Sequence, residues 1–235
     1  MYPVEYQGAL AGDAYGRYDD LFRRIESTGK YTSILDYGCG GGRFVVEAIQ
    51  HGYVVTGTEY NPDLVRSLQD KFTNASFVSI DDFFQKNDKY DIIFLSNVLE
   101  HLTNPKEIML KLKDRLSENG IFVLEGPVEN NFNVKQTIRK AIFFVRKYLF
   151  KKKAAHVPTH ILYSNRKNQE DLFKNMGLET LYYDIDESNW PFPSVYANCK
   201  TALQKILYYV ASFSVFTSKI VPSWGNSFTY IGKIK

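Results

Sequence analysis

The segment that most restricts this chain is Ile34-Leu35-Asp36-Tyr37-Gly38-Cys39-Gly40-Gly41-Gly42-Arg43-Phe44. An apolar run ends in an acid, glycines follow, and an amphipathic stretch begins. Glycines let the backbone turn tightly, and the missing Cβ atoms let a ligand press against amides that open the next helix. Such a strand–turn–helix unit needs parallel neighbours. From residue 31 to 125 short apolar runs alternate with amphipathic segments, the pattern of a parallel sheet with crossover helices. Strands are expected over residues 33–36, 53–59, 76–80, 90–96 and 120–125. Ile34-Leu35 and Ile92-Ile93-Phe94-Leu95 are unbroken apolar runs, as strands covered on both faces should be. Helices are expected over 42–51, over 62–71 with Pro62 in the first turn, and over 105–116 with Asn104 as cap and Asn119-Gly120 ending it. A further helix is expected over 13–27.

Beyond residue 125 the pattern changes. A helix with a basic flank is expected over 132–153, and a short helix over 168–176 ended by Gly177. A strand follows over 179–185, a loop over 189–193, a long helix over 202–220, and a final strand over 227–233. That last strand reads as an antiparallel edge on a parallel sheet. The fold class is α/β: a Rossmann-like, seven-stranded, mostly parallel sheet with helices on both faces and a basic helical insert after the fifth strand.

Composition excludes several alternatives. The chain has 235 residues, enough to bury a core without staples, and 29 Lys+Arg against 26 Asp+Glu give a net charge of +3, which excludes intrinsic disorder. Two cysteines, Cys39 and Cys199, exclude a disulfide scaffold and a cysteine-built zinc site, and suit a reducing compartment. The N-terminus lacks the basic and apolar regions of a signal peptide. The most apolar stretch, 206–221, contains Ser212, Ser214, Thr217, Ser218 and Lys219 and is too short and polar to span a bilayer. A cytoplasmic location is expected. The charge is uneven, however. The 40 residues between Glu129 and Glu170 hold no acid and ten basic residues, so the remainder carries −7 (3 minus 10). A basic island in an acidic body points to an anionic partner.

Seventeen residues after Gly42 the second strand ends at Glu59, in Thr56-Gly57-Thr58-Glu59-Tyr60. A carboxylate at that tip can accept both hydroxyls of a ribose. A dinucleotide fingerprint starting at Gly38 would need glycine at position 43, which is Arg; starting at Gly40 it would need glycine at 45, which is Val. The spacing instead reads Asp-x-Gly-x-Gly-x-Gly from Asp36. An acid just before the glycines repels a pyrophosphate and suits a positively charged amino-acid group.

This stretch resembles class I S-adenosylmethionine-dependent methyltransferases, in the small-molecule branch that includes quinone and sugar methylating enzymes. The resemblance covers residues 31–125 well and the tail loosely. It implies S-adenosyl-L-methionine as cofactor, with S-adenosyl-L-homocysteine as product, and a cofactor site at Asp36, Gly38, Cys39, Gly40, Gly42, Glu59 and Tyr60. Asp81 and Asp82, after the third strand, match the segment that meets the adenine amino group. Ser96-Asn97-Val98-Leu99-Glu100-His101-Leu102 matches the segment beside the methionine part and the substrate, which adds Asn97. Each piece alone has a bland explanation: a turn, two loop acids, a small packing cysteine. Their order and separations together carry the resemblance. Residues 1–235 are then one methyltransferase domain: an N-terminal helix or lid (1–30), a cofactor-binding core (31–129), the basic insert (130–169), and the rest of the sheet with a substrate cap (170–235).

The sulfonium methyl is already activated, so the protein must chiefly align a nucleophile, which supplies ~7–11 kcal/mol. A hydroxyl acceptor also gains roughly 10²–10⁴-fold from a base. His160, in Thr159-His160-Ile161-Leu162-Tyr163-Ser164, resembles the family's late histidine and is the preferred base; His101 is the second candidate, with helix capping as its bland alternative. His51 reads as structural. No Asn/Asp-Pro-Pro-aromatic or Pro-Cys motif of base methylation is present. No His/Asp/Glu cluster has metal-ligand spacing along the chain, so no metal is expected. O-methylation of a small-molecule, sugar or lipid-linked acceptor remains.

On a helix over 132–153, Phe143 and Phe150 fall on the same side as Arg139, Lys140, Arg146 and Lys147. Basic residues mixed with aromatics suit an anionic membrane interface, so peripheral attachment at the inner face of the membrane is expected; a solvated lid is the bland alternative. Two rival functions stand beside this one: a catalytically inactive partner subunit of the same fold, and an RNA methyltransferase using the basic insert. No recognised RNA-binding module accompanies the island, which disfavours a nucleic-acid partner. Acceptor identity and oligomeric state are not encoded legibly.

Overall fold

The computed structural model describes residues 16–131, 160–187 and 195–235, together with 134, 137, 138 and 144. Seven strands form one sheet in the order β3-β2-β1-β4-β5-β7-β6. They are β1 Ser33–Tyr37, β2 Val54–Glu59, β3 Ser76–Ser79, β4 Tyr90–Ser96, β5 Leu116–Pro127, β6 Leu178–Asp186 and β7 Ser227–Ile234. β1 to β5 pair in parallel, and β7 runs antiparallel to both β5 and β6. The helices are α1 Asp19–Thr28, α2 Arg43–Gln50, α3 Pro62–Lys71, α4 Ile80–Gln85, α5 Pro105–Lys113, α6 Arg166–Asn175 and α7 Ala202–Ile220.

The unbroken apolar runs are explained by the two-residue period of a strand, which sends successive side chains to opposite faces. Ile34, Ile92, Phe94, Ile121 and Val123 enter one core layer with α1, α2 and α3 residues such as Phe22, Phe44, Val45 and Leu68. Their neighbours Leu35, Ile93, Leu95, Phe122 and Leu124 enter the other, with Phe83, Met109, Leu112, Phe173 and Tyr230. Pro62 opens α3 and Asn104 caps α5, accepting from the Glu107 amide, as expected. The structure adds two further asparagine caps: the Asn61 side chain accepts from the amides of Asp63 and Leu64, and Asn165 forms a capping box with Asn168.

Two expectations need correction. The helix after Asn104 stops at Lys113, and Asn119-Gly120 lies within β5 rather than ending a helix. Leu116 pairs with Tyr90 while Ile121 pairs with Ile92, so five residues of β5 pass two of β4 and the intervening turn is taken up as an irregularity in the strand. The final strand is antiparallel as expected but is not an edge: β7 inserts between β5 and β6, and β6 is the edge. Asp81 and Asp82 follow β3 as expected and lie in the first turn of α4, where the Ser79 hydroxyl accepts from the Asp82 amide. The basic helix expected over 132–153 and the loop over 189–193 lie almost wholly outside the described residues; positions 134, 137, 138 and 144 are helical.

Phe44 anchors the helix that follows the glycine turn. Its ring stacks on Phe94 of β4 at 3.7 Å and on Phe22 of α1 at 5.3 Å, with Tyr18 edge-on at 5.1 Å. Phe44→Ala is expected to cost about 3–5 kcal/mol in urea unfolding, as a fully buried aromatic ring leaves a cavity between three elements.

Candidate active site

Parallel sheets place ligands at the carboxyl ends of strands where the connection order reverses. Here that point lies between β1 and β4, since the chain winds outward through β2 and β3 before returning to β4. The first wall is the turn after β1. Thr58 of β2 accepts both the Gly38 and Cys39 amides through its carbonyl at 2.9 Å, and the Gly42 amide returns to the Cys39 carbonyl at 2.9 Å. Gly38 has φ +81°, and a Cβ there would meet Val98 Cγ2 at 2.7 Å, so both conformation and space demand glycine. At Gly40, φ +51°, a Cβ would point into open space. The absent side chain at Gly40 is therefore not explained by protein packing and leaves room for a ligand against the backbone. Gly42 caps α2 in the left-handed conformation.

Glu59 joins this turn to β2. Its Oε2 accepts from the Gly40 amide at 3.1 Å, and Oε1 accepts from Tyr60 at 2.8 Å and Asn61 at 3.2 Å. A carboxylate has about four acceptor positions, so capacity remains for a ligand hydroxyl. Tyr60 is exposed beside it. Asp36 is only 3% exposed. Burial, reinforced by the Glu59 charge, pushes its carboxyl up to about 8. A buried carboxyl beside a second acid is the arrangement that a cationic ligand relieves. The residues therefore fit S-adenosylmethionine: a cation for Asp36, hydroxyls for Glu59, and backbone space at Gly40. Cys39 is buried and its thiol is pushed well above the ordinary range by burial and by the Asp36 and Glu59 charges, which suits packing rather than nucleophilic attack. Asp81 is exposed and acts on the Tyr37 hydroxyl through its charge; the Asp82 carboxylate accepts from Ser79 at 2.7 Å.

The second wall is the turn after β4. Asn97 has φ +54°, the only positive φ of a non-glycine among the described residues, and its amide donates to the Glu125 carbonyl of β5 at 2.9 Å. Strained backbone of this kind gathers at functional sites. The turn Leu99–His101 then carries Glu100 and His101. The Glu100 carbonyl accepts from Ile161 at 2.8 Å and Leu162 at 3.1 Å, which brings His160 to this place. His160 Nδ1 lies 2.7 Å from Glu129 Oε2, and the His160 and His101 rings are 4.9 Å apart.

Both histidines picked out in the sequence thus share one corner, although 59 positions separate them. Glu129 and Glu100 were missed. Glu129 appeared only as the boundary of the acid-free stretch, and Glu100 only inside a motif. Glu100 is 6% exposed, its Oε1 accepts no hydrogen bond from the described residues and lies 4.0 Å from His101 Nε2, and burial pushes its carboxyl up to about 7 against the His160 charge. Candidate ligand atoms of Glu100, His101 and His160 lie within 4.8 Å of one another, a set able to hold a cation. Spacing along the chain gave no hint of this, because the fold and not the sequence makes these residues neighbours.

The Asp36 carboxyl holds a proton in the folded chain over a range where the unfolded chain has lost it. Folding therefore weakens as pH rises from about 4 towards 8, by a few kcal/mol at most. Asp36→Asn is expected to flatten that slope and to raise the melting temperature at pH 8, measured without ligand. An unchanged slope would show that Asp36 ionises freely.

A family model described as "Methyltransferase domain" matches residues 10–183. The ubiquinone biosynthesis O-methyltransferase of Glaesserella parasuis serovar 5 is 29% identical over 102 residues, covering 39% of this chain and 43% of the relative, so the chain matches less than half of that relative's length. Among solved structures, an S-adenosylmethionine-dependent methyltransferase from Archaeoglobus fulgidus superposes with a TM-score of 0.59 at 17% identity, covering 92% of this chain and 91% of that one. The magnesium protoporphyrin IX methyltransferase of Synechocystis PCC 6803 gives 0.58 at 13% identity, over 92% and 81%. These two show the fold alone. The family model spans most of the sequence, including both walls of the cleft, and so the chain belongs to the methyltransferase domain family, the S-adenosylmethionine-dependent methyltransferases.

Proposed function

We propose that this chain methylates an oxygen of a small-molecule acceptor, of quinone-type or lipid-linked character, with His160 as the base. The Glu129–His160 pair carries this reading. A carboxylate can only accept, so at 2.7 Å the Nδ1–H donates to Glu129 and the Nε2 lone pair is left for an acceptor hydroxyl. His101 packs against the same ring and borders the acceptor side. The bound cofactor supplies a methyl group already activated on sulfur. Asp36 answers its positive charge, Glu59 orients the ribose, and the turn from Gly38 to Gly42 sets its depth. Asn97, Tyr60 and the α4 acids border the same groove. Residues 130–131 and 160–164 roof the acceptor side: the Asn130 amide donates to the Ser164 carbonyl at 3.0 Å, and Gln169 reaches the Ser164 hydroxyl at 2.8 Å. The quinone-type preference is supported by the 29% identity to the ubiquinone biosynthesis enzyme and by the aromatic side chains of the tail.

Calorimetric titration with S-adenosylmethionine and S-adenosylhomocysteine is expected to show micromolar binding, tightening as pH rises towards 8 because the cation favours ionised Asp36. Glu59→Gln should weaken binding roughly tenfold to a hundredfold, since hydrogen bonds to a charged group contribute about 1.5–3 kcal/mol. Against a panel of phenols, hydroxyquinones and sugars, His160→Ala should lower kcat by roughly 10²–10⁴-fold and leave cofactor affinity unchanged. Glu129→Gln should lower kcat less and shift the pH–rate profile. Full turnover by His160→Ala would remove it from the role, and cofactor binding with no product from any acceptor would favour a non-catalytic partner subunit.

A further inference from the structure

The long helix α7 is inside out. Its buried residues are Ser214 and Ser218, 2% and 1% exposed, while Ile206, Tyr209, Phe213, Phe216 and Ile220 stand 59% to 65% exposed. At 100° per residue these five fall within an arc of about 80° along a helix about 28 Å long. The helix contacts β6 and the turn Pro222–Trp224, and Ser214 and Ser218 are its buried side chains. An ordinary surface helix puts its apolar stripe on the core and its polar residues in water; this one does the reverse. Contiguous exposed apolar surface of this kind marks an interaction site.

Charge selects the occupant. From Ser188 to Lys235 the chain has five lysines and no Asp or Glu. Exposed Lys205 and Lys219 border the stripe, and Lys205 Nζ lies 5.6 Å from the ring of Tyr196, which itself abuts Tyr209 at 5.4 Å. A second copy docked through a two-fold axis would set this cationic, acid-free stripe against itself, with no carboxylate from the same region to answer the lysines. An anionic lipid surface answers both features: acyl chains take the aromatic and aliphatic side chains, and headgroups take the lysines. The ten basic residues of 130–169 give the same sign to a second acid-free segment. No described helix is long and apolar enough to cross a membrane, so α7 would lie along the surface rather than span it.

We infer that α7 is a membrane-docking helix that rests its Ile206–Ile220 stripe on an anionic bilayer. This goes beyond the methyl-transfer reading and does not depend on it. The test is co-sedimentation of the full chain with phosphatidylcholine vesicles and with phosphatidylcholine–phosphatidylglycerol vesicles, alongside titration with S-adenosylmethionine. The chain should pellet with the anionic vesicles only. The double variant Phe213→Ser/Phe216→Ser should lower the partition coefficient at least tenfold while melting temperature and cofactor affinity stay unchanged. Lys205→Gln/Lys219→Gln should make the remaining binding weaker and less salt-sensitive. The inference is overturned if the chain ignores anionic vesicles, if the phenylalanine double variant partitions like the parent, or if light scattering shows a dimer that this variant dissolves. Loss of cofactor binding in a chain that still pellets would instead count against the methyl-transfer reading alone.

Discussion

The cleft depends on one carboxylate. Glu59 stands at the tip of β2 and accepts amides from its own chain segment, Tyr60 and Asn61, and from Gly40 across the gap to the turn after β1. With the Thr58 carbonyl receiving Gly38 and Cys39, it fixes how far that turn stands from the second strand. Hydrogen bonds to a carboxylate are stronger than neutral ones, and a side chain engaged by three amides is already oriented before any ligand arrives. Its remaining acceptor capacity can meet a ligand hydroxyl without a further loss of side-chain freedom.

That arrangement places a second acid, Asp36, where its charge is poorly solvated. A buried, paired carboxyl destabilises the empty fold and is relieved by a cation, so ligand affinity and ligand-free stability oppose each other at this position. The turn after β4 shows a similar tension: Asn97 holds a backbone conformation that most side chains avoid, and Glu100 keeps a buried oxygen without a hydrogen bond from the described residues, beside two histidines. Such exceptions stand out against a core that is otherwise consistent at every level, and they gather at one end of the sheet.

Local chemistry made most of the framework legible. Unbroken apolar runs correctly located the central strands, because a strand covered on both faces has no polar side to show, and Pro62 and the Asn104 cap located the starts of α3 and α5. Asn119-Gly120 misled because turn residues mark a break in regular geometry but not which element contains it; here the break is an irregularity inside β5. The place of β7 between β5 and β6 was likewise illegible, since strand order is set by which edges remain open when the chain returns, not by the strand's own residues.

What the sequence determined by itself is the glycine-turn wall of the cleft. Asp36, the glycines and Glu59 lie on consecutive pieces of chain whose spacing follows from one strand–turn–helix–strand unit, so their meeting is a local consequence. The histidine corner was decided only by tertiary structure. Glu100, His101, Glu129 and His160 come together because β4 and β5 are neighbours and the Glu100 carbonyl captures the amides of Ile161 and Leu162. The same holds for α7, where apolar residues at helical spacing look like any core-facing helix. Which side is buried is decided by how the helix packs on its neighbours, β6 among them, and it is the side of Ser214 and Ser218, which no single segment encodes.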